Sequence, residues 1–168
     1  MSLTMYDASV PVFIRALRNL SRLLDKAVAH AEANGIDPAR LVEARLIADM
    51  DPLRSQVQRA SDTAKGAAAR LSGTDNPGFA DTETTMAELK ERIAKTIAFL
   101  EGVDAGAFDG SETREVVMKA RHEEFRFAGQ DYLLNHALPN FFFHVTTAYD
   151  ILRAQGVQIG KKDFLGRA

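Results

Sequence analysis

The chain has 168 residues, enough for one domain whose folding buries roughly 70% of the surface of the extended chain. With 46% apolar residues, 26% charged residues and a net charge of -2, it lacks the basic surplus of a nucleic-acid-binding protein. The absence of cysteine excludes disulfides, thiolate chemistry and cysteine-ligated zinc, and no apolar run reaches the roughly 20 residues that span a bilayer. The expectation is a cytoplasmic protein with no nucleic-acid or membrane partner, and residues 1–168 read as a single domain.

Helical spacing dominates. Phe13, Leu17, Leu20, Leu24, Ala27 and Ala31 recur every three or four residues, placing them on one stripe of a long first helix. Pro11 suits its start and Asn34-Gly35 its end. Asp37-Pro38 reads as a cap and first residue of a short extra helix running to about Arg45, and Asp51-Pro52 repeats that signal. The second long helix carries Leu53, Val57, Ala60, Ala64, Ala67 and Leu71 and stops before Gly73; its small residues allow close approach of a neighbour. Capping accounts for at least one of Asp49 and Asp51 ahead of it.

After a loop containing Asn76-Pro77-Gly78, Thr85 and Glu88 have capping-box spacing, and Met86, Leu89, Ile93, Ile97 and Leu100 form the third helix as far as Gly102. The period then changes to two. Val116 and Met118, followed by Phe125 and Phe127, predict a short hairpin turning near Ala120 to Glu123. Helix four runs from Gln130 to Gln155 with a stripe of Leu134, Leu138, Phe141, Val145, Ala148 and Leu152, and Pro139 is expected to kink it. Gly156 ends it, and the tail through Phe164 and Leu165 docks on the other helices. The fold class is therefore all-α: a four-helix bundle with a short extra helix after helix 1 and a small β-hairpin between helices 3 and 4.

Within helix four, Phe141, Phe142 and Phe143 fan over roughly 200° of the circumference, too wide for one core contact. Phe143 lies nearly opposite the stripe, while Phe142 and Tyr149 share its border. Phe142 and Phe143 are the candidate interface of a homodimer formed through helix four; the rival is that the hairpin or tail covers Phe143 within one chain. His144 sits at the border of the buried face, as a hydrogen-bonded structural histidine, a pocket residue or a weak metal ligand. His136 points away from the stripe, toward a surface or interface role, and neither His30 near a helix end nor His122 in the turn has a catalytic setting. Arg15, Arg18, Arg22 and Lys26 form a solvated face diluted by Asp25 and Glu32.

Several short matches in order carry a family resemblance: Met50, Pro52-Leu53, Gln56-Val57, Asp131-Tyr132, Pro139-Asn140-Phe141, the run His144 to Val157, and Gly160 to Gly166. Together they resemble a bacterial domain-of-unknown-function family placed in the DinB/YfiT-like superfamily of four-helix bundles. In that superfamily's metal-binding members one histidine of the second helix and two of the last, four residues apart, hold a divalent metal. The resemblance therefore implies a metalloenzyme fold, with thiol-dependent transfer or hydrolysis as the associated chemistry. His144 matches one ligand, but Asn140 stands four residues before it and Gln56 is the nearest match on the second helix. Neutral amides are poor ligands for zinc or nickel.

The site is therefore read as degenerate, with no metal ligand set and no cofactor expected, and with a weakly bound divalent metal at His144 as the alternative. Gln56, Tyr132, Asn140 and His144 are the candidate cleft between helices two and four, where bundles place their sites. The chain contains neither a glycine-rich phosphate loop nor a Gly-x-Ser-x-Gly elbow, and catalytic residues stay unassigned. Two functions follow. One is a homodimeric small-ligand-binding or non-catalytic DinB-like protein, and the other is a metal-dependent enzyme of the DinB/YfiT type.

Overall fold

The computed structural model describes residues 3–120 and 123–167. Four long helices form the frame: α1 (Val10–Ala33), α3 (Leu53–Ser72), α4 (Met86–Glu101) and α6 (Leu138–Ala154), with a short α2 (Pro38–Val42) between the first two. α1 and α3 lie on one diagonal of the bundle, and each packs against both α4 and α6. The expected stripes supply the core: Phe13, Leu17, Leu20, Leu24, Ala27 and Ala31 of α1 and Leu53, Val57, Ala60, Ala64, Ala67 and Leu71 of α3 are all fully buried. The alanines of α3 leave room for α6 to approach closely.

Local signals set most boundaries. Asp37 caps α2 by accepting from the Ala39 amide, and Thr85 and Glu88 exchange both bonds of a capping box at α4. Gly73 ends α3 with φ of 76°, where a side chain would be strained. The start of α3 differs from expectation. Pro52 is its N-cap residue and has no side-chain acceptor to offer, while the Asp51 carboxylate pairs with Arg59 at 2.6 Å instead of capping.

Strands β1 (Glu115–Ala120) and β2 (Glu123–Ala128) form the hairpin, in a register that places Val116 opposite Phe127 and Met118 opposite Phe125. The expected turn positions Arg121 and His122 lie outside the described residues. β2 runs directly into α5 (Gly129–Tyr132), which continues through a π turn (Leu133–Ala137) into α6. Gly129 at this junction lies against the Ser111 carbonyl oxygen and Leu71, so closely that a Cβ would overlap the carbonyl.

The π turn corrects the stripe expected for helix four. Pro139 has no N–H for the preceding turn and its ring crowds the carbonyl four residues back, and widening that turn by one residue accommodates both. The extra residue rotates everything upstream. Leu133 and Ala137 are fully buried, whereas Leu134, assigned to the stripe, is 48% exposed. His136 is rotated as well: it stacks on Tyr132 and lies beside Phe127 of the hairpin, each at 5.8 Å between ring centres.

After Gly156 the tail forms α7 (Lys161–Leu165), which docks on α1 as expected. Asn19 and Arg15 donate to the carbonyls of Phe164 and Leu165, Lys26 pairs with Asp163, and Phe164 meets Tyr149 edge to face. Part of the basic face of α1 is thus used within the chain.

One ionic cluster ties the connection between α3 and α4 to the bundle. The buried Arg92 guanidinium meets Asp62, Asp81 and Glu83 and donates to the Ala80 carbonyl, while its Nε reaches the Ser61 hydroxyl. Three carboxylates around one buried cation compensate its desolvation. No helix among the described residues is long and apolar enough to cross a membrane.

Candidate functional site

The seam between α3 and α6 carries three polar rungs. Gln56, Thr63 and Arg70 recur every seven residues on α3, about 10 Å apart along its axis. The antiparallel last helix meets them in reverse order. His144 Nδ1 lies 2.8 Å from Gln56 Oε1, Asn140 donates to the Thr63 hydroxyl at 2.8 Å, and Arg70 donates to the Tyr132 hydroxyl at 3.2 Å. Of the four candidate cleft residues, His144 and Gln56 therefore meet directly. Asn140 occupies the middle rung, and Tyr132 lies about 18 Å from His144 along the helix, next to the hairpin.

The first rung has a fixed polarity. Gln56 Nε2 donates to the Asp51 carbonyl at 3.0 Å, which turns Oε1 toward the imidazole. An acceptor facing Nδ1 requires that nitrogen to carry the proton, so the lone pair of the neutral ring sits on Nε2. Burial and, second to it, the nearby Arg59 cation together lower the His144 pKa from 6.5 to about 4, against a smaller opposing effect of Asp51. His144 is 8% exposed and neutral at physiological pH. Tyr132 is also buried, and burial raises its pKa above the ordinary phenol value, opposed by Arg70. Its hydroxyl stays protonated.

The donor set at this seam does not suit a tightly held divalent metal. One imidazole and two amides stand where three imidazoles would be needed, both amides already bond within the protein, and the Arg59 charge opposes a second cation. Among the described residues, no three histidine, aspartate or glutamate side chains gather closely enough to share an ion.

The aromatic run divides as its fan requires. Phe141 is fully buried and packs edge to face on Phe13, Phe142 is half-buried, and Phe143 is 55% exposed on the outer side of α6. The hairpin and tail do not cover it.

A family model for a domain of unknown function, DUF1993, matches residues 5–165. The chain belongs to the DUF1993 family. The crystal structure of a DinB family member protein from Shewanella denitrificans is 43% identical, covers 96% of this chain and 92% of its own, and superposes with a TM-score of 0.91. The DinB-like fold of this DUF1993 domain is thereby established along nearly its whole length. No curated protein matches it.

The family resemblance and the helical wheel pointed to Gln56 and His144, and Asp51 was read only as a cap; neither gave a sign of Arg59, whose charge adds to the effect of burial on His144. Two arginines lie in the first turns of α3, Arg54 and Arg59, and a third, Arg45, lies in the connection before it; only the fold decides that Arg59 is the one near His144. Thr63 had a detectable signal, since it lies one heptad from Gln56 on the same face.

Proposed function

We propose that this DUF1993 domain is a homodimeric small-ligand-binding protein on a DinB-like bundle whose ancestral type of metal position is filled by protein hydrogen bonds. The observation that carries this reading is the Gln56 amide, held between the Asp51 carbonyl and His144 Nδ1. A side chain satisfied at both ends gives up two good hydrogen bonds to become a weak ligand. The dimer is supported by Phe143, exposed next to half-buried Phe142 on the outer face of α6.

A metal-dependent transferase or hydrolase is the second reading, and the Nε2 lone pair of neutral His144 is what favours it. Elemental analysis after chelator-free purification separates the two. The binding-protein reading expects far less than one zinc, nickel or manganese per chain in the wild type, and stoichiometric uptake by a Gln56→His/Asn140→His variant that restores the superfamily's pattern. Stoichiometric metal in the wild type that disappears in His144→Ala would establish the enzyme reading instead.

A further inference from the structure

At the end of the bundle away from Gln56, a cavity of about 900 Å³ opens between three pieces of chain. Residues 3–8 form one wall, the 3-10 turn Ala105–Phe108 with Asp109, Gly110 and Glu112 forms a second, and Gln130, Leu133 and Leu134 form the third. Its volume is that of a pocket for a small organic molecule. Phe108 and Leu133 are buried, Tyr6 packs edge to face on Phe108 at 5.4 Å, and exposed Leu134 stands at the mouth.

The charges around this apolar interior all have one sign. Among the described residues, Asp7, Asp109 and Glu112 line it, and no lysine, arginine or histidine does. Asp7 accepts from the Thr4 hydroxyl at 2.7 Å, whereas Asp109 and Glu112 form no ion pair and no side-chain hydrogen bond among the described residues. Carboxylates at a partly enclosed apolar site focus a negative potential, which attracts a cation. Anionic ligands are disfavoured by the same arrangement.

The geometry points to this cavity as a binding site for a small organic cation: an apolar body of about the size of a phenyl ring or larger, seated on Tyr6 and Leu134, bearing a protonated amine that faces Asp109 and Glu112. The site shares no residue with the α3–α6 seam, so it stands whatever the metal analysis of that seam returns.

The test is a titration of the full chain with 2-phenylethylamine, followed by amide nitrogen–proton correlation spectra, with 2-phenylethanol and 3-phenylpropionate as neutral and anionic counterparts. The expected result is saturable shifts confined to residues 3–8, 105–112 and 130–134, with the amine bound about fivefold more tightly than the alcohol and the acid not bound. Asp109→Asn/Glu112→Gln, two exposed positions without side-chain partners among the described residues, should cut the preference for the amine over the alcohol to less than about twofold. Leu134→Lys, which sets a cation at the mouth, should abolish amine binding. Equal affinities in the wild type, preference for the acid, saturable shifts elsewhere, or no saturation at millimolar amine would each overturn the assignment.

Discussion

His144 is a histidine that the fold keeps uncharged. Its imidazole titrates near 6.5 in the unfolded chain and at about 4 in the bundle, so as pH falls the unfolded state takes up the proton first. The contribution to stability is complete above pH 6.5 and is lost between pH 6.5 and 4. Denaturant unfolding of wild type and His144→Gln at pH 7 and pH 4.5 should show a smaller acid-induced loss in the variant. The His144 ring resonances of the wild type should also hold their neutral positions down to about pH 5. A ring that titrates near 6.5 in the folded protein would mean that Gln56 and burial do not control it. At this scale the sequence was partly legible. The helical wheel put His144 at the edge of the core, where it is, while the Arg59 charge beside it comes from a residue without any distinctive spacing.

Elements were legible where a repeating pattern or a cap spelled them out, and obscure where a single residue broke the count. The two-residue alternation of Val116, Met118, Phe125 and Phe127 gave the hairpin with its cross-strand pairs, and Thr85 with Glu88 marked the first turn of α4. A period of 3.6 extrapolated back from Phe141 misassigned Leu134 and His136, because the π turn inserts a residue that no periodicity records. Arg92 was invisible for a different reason. A charged residue on an amphipathic helix reads as solvent-facing, and the carboxylates that make its burial tolerable come from α3 and the preceding loop. The junction of β2 with α5 supplies the test at this scale. Gly129→Ala forces a methyl group into the Ser111 carbonyl and should cost roughly 3 kcal/mol, with a lowered denaturation midpoint. Gly78→Ala, at a glycine with open space around it, is the matched control and should change stability little. Equal effects would mean that the close approach at Gly129 is absent.

For the whole molecule, the question is what meets the outer face of α6. Sedimentation velocity at micromolar concentration should give a dimer, and Phe143→Asp should convert it to a monomer with unchanged helical circular dichroism, since the side chain is 55% exposed and touches the interior only edge to face at the His144 ring. A wild-type monomer under those conditions would remove this interface from the proposal. Composition and helical spacing made the four-helix frame readable from end to end, because each stripe needs a partner and four matched stripes close on one another. They gave no warning of the acid-lined cavity. Its walls come from residues 3–8, 105–112 and 130–134, distant segments without individual signatures that only the folded bundle brings together.

The π turn upstream of Pro139 has a consequence for how the last helix is used. Wound as an unbroken α-helix, the same residues would swing Leu134 inward by about 100° and turn Leu133 away from the interior. The surplus residue acts as a fixed phase offset between two half-rods, one indexed to α3 through His144 and Asn140, the other indexed to the hairpin and to the hollow beside Phe108. The turn itself, and not the α3 contacts of His144 and Asn140, therefore decides which leucine faces the core and which faces that hollow.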